Sequence, residues 1–454
     1  MTPGGYESAR PAPGRTATTP HVPAGPAGEL TPSLKQATAV VLRAAEVLGL
    51  FPQWTDHAAG QHPTTVSCQL LDRQGNVVPD AVGHAAGSAA RAGLGAVCEA
   101  LERHLAGPAG FDPARTRLRY AGELARGALA AEASALLLAA APEQRLACWT
   151  YEPLAEVHEL DVPVYLSSPW YADSEQGPAL RERAGDQGDY RALSRYAVNS
   201  GYGLGLSLTD ATLHALYETV ERDACSLLLA HAFLGSGHHL AELDPRTLPP
   251  DLASLHAHVE ESAGHRVHLL DATTDLDIPT VVAYSPPTPE SPYFRGQGAS
   301  LSMRQAVHRA LTELLESVQV RALAPGDTLD RQADLRALHS YPQLHACGRF
   351  DLTGQLSRAE LVPFADRRQP PGGPQHRLDQ VLSLLAAGGY TAYRRTIRVL
   401  PGDIHVAHAL VPGLERFFAV VKGALVLPGP RGRYAVRPAT RSRSARTGTN
   451  AAIT

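Results

Sequence analysis

The stretch NSGYGLGLSLTDATLHALYETVERDACSLLLAHAFL, Asn199 to Leu234, decides how the rest of the chain is read. It opens on Gly201, Gly203 and Gly205 and runs into a long apolar segment interrupted by Glu218, Glu221 and Arg222. An i, i+3 spacing places both carboxylates on one face of a helix. On an ordinary surface helix that face would be wet, but here Ala, Leu, Val, Tyr and Cys flank the acids on nearly every side. The same grammar occurs in GHAAGSAARAGLGAVCEALERH from Gly83, with Glu99, Glu102 and Arg103, and in GQGASLSMRQAVHRALTELLES from Gly296, with Glu313 and Glu316. In each copy the first glycine precedes the first Glu by sixteen or seventeen residues.

Half-buried carboxylates without partners either destabilise the fold or take up protons. Six of them close together need cations, and Arg103 and Arg222 are too few. Mg²⁺ is a hard ion that takes oxygen ligands and bridges carboxylates to substrate phosphates. A glycine-rich turn opening a helix offers backbone N–H groups and the positive end of the helix dipole to an anion. Acids for a metal and amides for phosphates together point to a nucleotide–Mg²⁺ site. A single ExxER reads as a solvated helix face; three copies behind three glycine loops do not. None of the loops is a GxxxxGK[ST] phosphate loop, and no GxGxxG follows a strand as a dinucleotide site requires.

On these residues the chain resembles the YcaO family. The Asn199 segment is similar to the family's central signature, and the Gly83 and Gly296 segments to its flanking ones, in the right order, over roughly Pro52 to Gly432. HALVPGLERF, from His408, resembles the closing strand and turn. The resemblance implies an α+β, YcaO-type fold with mixed sheets, in which three loop–helix segments converge on ATP and Mg²⁺. It also implies phosphorylation of a peptide amide oxygen by ATP, followed by attack of a nucleophile on that carbon. By position, Glu99, Glu102, Glu218 and Glu221 match the metal-holding acids, and Arg103 and Arg222 the arginines facing the phosphates. Gly201, Gly203, Gly205 and Asp210 fall in the nucleotide-binding segment. In the third segment Glu313 takes the place of the family acid and Glu316 that of a common Gln. The other phasing reads Glu316, Gln319 and Arg321 as ExxQxR; the first keeps the Gly-to-Glu distance. Three departures stand out: His84 where Gly-Lys-Gly is common, Ser200 before Gly201, and Leu206 at a usual Asn. The Pro-rich tail of many azoline-forming members is replaced by RSRSARTGTNAAIT.

A chain of 454 residues, 44% hydrophobic and with net charge −4, has ample material for a core and no basic excess to favour nucleic acid. Cys68, Cys98, Cys148, Cys225 and Cys347 are scattered without CxxC spacing, which favours reduced thiols and a cytoplasmic setting. Cys98 and Cys225 read as small core residues. No signal peptide is legible, and the apolar run Ala128–Ala141 is too short for a membrane span.

The domain reading is a disordered tail over 1–32, a catalytic domain over 33–432 and a flexible Arg-rich tail over 433–454, within an Arg-rich end (Arg431 to Arg446) that could instead dock an acidic precursor. Helices are expected over Ser33–Leu48, with Ser33 as cap, and over Arg117–Ala141; strands over Thr64–Asp72, Val162–Tyr171, His265–Asp275 and Asp277–Pro286. His238-His239 reads as a loop pair. Functionally, the expectation is ATP- and Mg²⁺-dependent cyclodehydration of Cys, Ser or Thr in a ribosomally made precursor peptide. The alternatives are thioamide formation and a non-catalytic peptide-binding scaffold. The partners would be the precursor and a separate ThiF-like leader-binding or TfuA-like protein, with a homodimer possible and no membrane.

Overall fold

The computed structural model describes residues 32–235, 239–288, 291–322, 335–366 and 372–436. Three sheets organise them. The first is the antiparallel meander β1 (Phe51–Asp56), β2 (Thr64–Leu71) and β3 (Val77–Gly87). The second contains β4 (Arg117–Tyr120), β5 (Arg145–Pro153), β6 (Leu160–Pro163) and β7 (Tyr202–Gly205), to which the C-terminal strands β13 (Tyr393–Leu400) and β14 (Ile404–Leu410) return. Its order is β4-β5-β13-β14-β7, with β6 paired to β5. The third comprises β8 (Ala241–Leu243), β9 (His268–Asp271), β10 (Thr280–Ser285), β11 (Phe294–Ala299) and β12 (Glu360–Val362), in the order β11-β10-β9-β8-β12, with only β8 and β12 parallel. This is the α+β, mixed-sheet architecture expected.

The longer helices are α1 (Pro32–Val47), α2 (Ala89–Ala106), α3 (Leu208–Phe233), α4 (Pro250–Ala263), α5 (Met303–Ala322) and α6 (Pro374–Ala387); the short α7 (Pro430–Ala435) follows near the C-terminal end. Helix α3 begins where Ser207 accepts the Asp210 N–H and donates its hydroxyl to the Asp210 carboxylate at 2.7 Å. Such a cap satisfies an N–H that the first turn cannot. Sixteen of the 26 residues of α3 are buried, so sheets and helices surround it. One side packs Leu213, Leu216 and Val220 against Ala409 of β14, Val411 just beyond it, and Leu378 and Val381 of α6. The other packs Cys225, Leu228 and Leu229 against Leu270, Tyr284 and Phe417. Full burial of each such aliphatic side chain contributes about 1.5–3 kcal/mol.

Several expectations are corrected. Arg117–Ala141 is not one helix but β4, a short helix Ala121–Leu124, a 3₁₀ turn Ala128–Ala131 and a short helix Ala135–Ala140. Gly127 is extended there (φ −83°, ψ −150°), and Glu132 turns inward to Arg416 at 3.3 Å and to the Gly413 N–H. Helical propensity loses to that buried pair. The strand expected over Val162–Tyr171 stops at Pro163 and becomes a 3₁₀ turn, Val164–Leu166, and a short helix, Pro169–Ala172, because prolines end ladders and start helices. Helix α1 begins at Pro32, so Ser33 lies inside its first turn. At the other end, Arg433 belongs to α7 rather than to a tail. Residues 1–31, 437–454 and His238 lie outside the described residues, and with them the disordered lead-in, the remainder of the tail and one member of the histidine pair; His239 is described, its Nδ1 3.1 Å from the Arg358 carbonyl oxygen.

Candidate nucleotide and metal site

The three acid pairs belong to three copies of one unit, a glycine-bearing strand followed directly by a helix: β3–α2, β7–α3 and β11–α5. Apart from Gly201, which directly precedes β7, the motif glycines Gly83, Gly203, Gly205, Gly296 and Gly298 stand in the strands, not in loops. A Cβ at Gly83 would lie 2.2 Å from the Ala96 carbonyl oxygen, one at Gly203 2.3 Å from that of Ala211, and one at Gly296 2.1 Å from that of Ala310. Only glycine lets each helix lie that close on its own strand. Gly205 is equally tight, 2.4 Å from the Ala211 amide nitrogen, and Gly201 is left-handed (φ +85°). The expected phosphate-cradling loops are thus strand–helix contacts.

Strands β3, β7 and β11 each end the order of their sheet, so they carry edge N–H groups that need acceptors. The first acid of each pair supplies them. Glu99 Oε2 accepts from the His84 N–H (2.6 Å), Glu218 Oε2 from Gly201 and Tyr202 (2.9 and 3.2 Å), and Glu313 Oε2 from Gln297 (2.8 Å). The second acid reaches the neighbouring unit. Glu102 of α2 bears on the Leu204 backbone in β7, and Glu221 Oε1 of α3 accepts from Ala299 in β11 at 2.7 Å. Glu316 of α5 faces Glu99 and Glu313. Sequence-distant acids therefore meet where three sheet edges meet.

The electrostatics of this junction are uneven. Burial, with Glu218 and Glu99 nearby, pushes Glu102 up to about 8. Burial likewise raises Glu99, although Arg103 opposes it, and Glu221, although Arg309 opposes it. Glu316 stands well above the ordinary carboxylate range through burial and the charges of Glu99 and Glu313. Arg103 meets Glu99 at 2.5 Å and Arg222 meets Glu218 at 3.2 Å. Arg222 also donates to the Gln297 side chain at 3.2 Å, and burial lowers its pKa less than Glu218, Glu313 and Glu221 raise it.

Four residues at the junction escaped the sequence reading. Arg309 pairs with Glu221 at 3.2 Å, Arg295 lies 3.5 Å from Cys225 Sγ, and Gln297 joins Arg222 to β11. Lys422, at the end of a 3₁₀ turn, is solvent-exposed, yet desolvation and the Arg222, Arg295 and Arg103 charges lower its pKa. Arg309 sits one turn before Glu313, where helical spacing could have found it, and Gln297 stands between two motif glycines, where the strand motif could have. Lys422 carries no local signal.

Other expected residues stand apart. Asp210 is spent on the α3 cap, eight residues before Glu218 and so about 12 Å along the helix. Gln319 Oε1 accepts the Thr65 N–H at 2.8 Å, tying α5 to β2. His84 hydrogen-bonds Ser67 at 2.7 Å, with His57 on the same hydroxyl, and burial lowers its pKa to about 4, so it is no substitute for a lysine cation. Leu206 is exposed between β7 and α3.

Among the described residues, no three His, Cys, Asp or Glu side chains stand close enough to form a ready-made metal shell. The donor chemistry nevertheless suits a hard cation with phosphates: raised carboxyls whose protons a cation would displace, and buried Arg222 Nε and Arg309 Nε without hydrogen-bond partners.

A family model described as "YcaO cyclodehydratase", ATP- and Mg²⁺-binding, matches residues 83–415. Among solved structures the chain is similar to YcaO from Methanopyrus kandleri bound with AMPPCP and Mg²⁺ (TM-score 0.58, 18% identity, 87% of this chain and 92% of that one). It is also similar to a heterocyclase in complex with substrate and cofactor (TM-score 0.56, 17% identity), covering 85% of this chain but spanning only 53% of that one. The E. coli microcin synthetase McbBCD complex gives a TM-score of 0.51 at 15% identity, over 80% of this chain and 88% of that one. At these identities the likeness is one of fold. No curated protein matches. Among the described residues no helix is long and apolar enough to cross a membrane.

Proposed function

The chain belongs to the YcaO family, ATP- and Mg²⁺-binding by its description, and from that premise we propose that it activates backbone amides of a ribosomally made precursor peptide, most specifically to close azoline rings on Cys, Ser or Thr. The observation that carries this reading is the junction of acids from α2, α3 and α5, with raised carboxyls set beside Arg103, Arg222, Arg309 and Lys422. In it Glu102 and Glu316, with Glu99 and Glu218 beside them, would hold Mg²⁺, while Arg222, Arg309 and Lys422 would receive phosphate oxygens. Bound there, ATP–Mg²⁺ supplies the phosphoryl group that takes the amide oxygen away as phosphate. The residues of the chain orient the phosphates and neutralise charge that develops on them, the largest single contribution in phosphoryl transfer. The acid staples fix the three helices, so that orientation is built before the ligand arrives.

The junction serves thioamide formation equally well, because activation is common to both and the nucleophile differs. A separate partner, ThiF-like for leader binding or TfuA-like for sulfur delivery, would select between them. Incubation with a precursor, ATP and Mg²⁺ followed by mass spectrometry tests the reading. Loss of one water per modified residue supports ring closure, and exchange of oxygen for sulfur supports the thioamide. An unchanged peptide and no phosphate release, with partner present, overturns both.

A further inference from the structure

Away from the acid junction, β13 and β5 part company. They pair only at Tyr393↔Pro153 and Arg394↔Glu152. Beyond that point a cavity of about 510 Å³ opens between Trp149, Thr150 and Glu152 on one wall and Arg394, Arg395 and Thr396 on the other, with Arg115 and Arg117 at its side. A second hollow of about 210 Å³ continues it past Ile397 and Arg398 and shares Arg115. Together they follow β13 where its partner on this side has been lost.

Arg395 is the unusual group. Its guanidinium lies 4.3 Å above the Trp149 ring and 5.9 Å from the Tyr151 ring. Among the described residues it makes no salt bridge, and its buried Nε has no hydrogen-bond partner; nor does the buried Nε1 of Trp149 below it. The other cations have partners: Arg394 pairs with Glu152 at 2.8 Å, Arg117 lies 3.5 Å from Glu159, and Arg115 donates to the Ile397 carbonyl at 3.4 Å. Four arginines against Glu152 and Glu159 leave the cavity lining with an excess of two positive charges. Buried donors without acceptors are rare in native proteins and mark a missing partner. A stacked planar guanidinium is preorganised to take a carboxylate through two parallel N–H bonds.

We propose that this groove binds an acidic segment of a peptide, laid in extended form along the open side of β13, with a carboxylate on Arg395 and a second near Arg115. Strand addition supplies main-chain hydrogen bonds and the arginines supply selectivity. The occupant being a peptide rests on the proposed function; the anion preference rests on the arginines alone. Arg395 bears electrostatically on His408, whose Nδ1 meets the Tyr151 hydroxyl at 2.9 Å and whose Nε2 donates to the Ser200 carbonyl at 2.9 Å, next to the Gly201 amide held by Glu218.

The test is fluorescence anisotropy with a labelled synthetic peptide of alternating Glu and Val, beside its Gln–Val counterpart, on the full chain. The Glu peptide should bind, weaken with added salt, and lose about tenfold or more in affinity in Arg395→Gln and in Arg115→Gln, while the Gln peptide binds neither. Arg115→Gln, at the side of the cavity, guards against misfolding of the Arg395 variant. Equal binding of both peptides, or Glu-peptide affinity unchanged in both variants, overturns the proposal. So does inorganic phosphate binding at Arg395 without any hold on the Glu peptide. ATP–Mg²⁺ binding, measured on the same preparations, reports separately on the acid junction and should be unchanged in both variants.

Discussion

Glu221, on the helix of the second strand–helix unit, accepts the backbone N–H of Ala299 in the edge strand of the third at 2.7 Å. Glu102 likewise reaches from the first unit to the Leu204 backbone in the second. Each acid pair thus has one member that fastens its own strand, and in the first two units the other fastens the neighbouring unit. Residues that in sequence look like metal ligands are also the fasteners of three sheet edges, so binding and folding draw on the same side chains.

Removing a fastener should therefore show as lost stability even without ligand. Glu221→Ala leaves the Ala299 N–H and Arg309 without their acceptor, at a cost of about 1–3 kcal/mol in urea unfolding. Glu221→Gln keeps an acceptor oxygen and should cost less. Equal stability of the Ala variant and wild type would remove the fastening role.

The raised acids set a pH dependence. Glu102, at about 8 in the fold, compares with about 4.3 for an unfolded glutamate. Between those values the native state holds a proton the unfolded chain lacks, so ligand-free stability falls as pH rises through this window. Mg²⁺ must displace that proton, so its binding should strengthen from pH 6 to pH 8. Melting curves and Mg²⁺ titrations across this range check both slopes, and Glu102→Gln should flatten them.

Gly296→Ala would drive a methyl to 2.1 Å from the Ala310 carbonyl and 2.3 Å from the Leu314 amide nitrogen, both backbone atoms that cannot swing away. Overpacking of this kind costs about 1–3 kcal/mol or more. Gly354→Ala meets nothing within 4 Å and serves as the neutral control. A stable, fully folded Gly296→Ala protein would show that close strand–helix contact is not what the motif glycine secures.

Arg431 donates to both oxygens of the fully buried Asp223, at 2.7 and 2.9 Å, and to Asp275. Arg431→Met strands a buried carboxylate and should destabilise the fold by about 3–5 kcal/mol. Adding Asp223→Asn should recover part of the loss. A single variant as stable as wild type would mean that α7 is not anchored through this pair.

The repeat of glycines and paired acids made the three units and their convergence legible, because both features lie within one unit and keep its spacing. What the glycines do was not legible: the same residues suit a phosphate loop or a close helix contact, and only tertiary placement separates them. Asp210 fell in the motif yet serves as a cap. Arg117–Ala141 has the composition of a helix, but the reach of Glu132 to Arg416 depends on a residue almost three hundred positions away. Lys422 and Arg395 are invisible for the same reason, since their meaning comes from strands and turns that return late in the chain.

The central claim is that acids from three distant segments form a single Mg²⁺–nucleotide site. Calorimetric titration of a non-hydrolysable ATP analogue with Mg²⁺, against wild type and the single variants Glu102→Gln, Glu218→Gln and Glu316→Gln, tests it most directly. Saturable Mg²⁺-dependent binding, weakened about tenfold or more by each substitution, is the predicted result. Binding that ignores Mg²⁺, or that survives intact when any one of the three helices loses its acid, would contradict it.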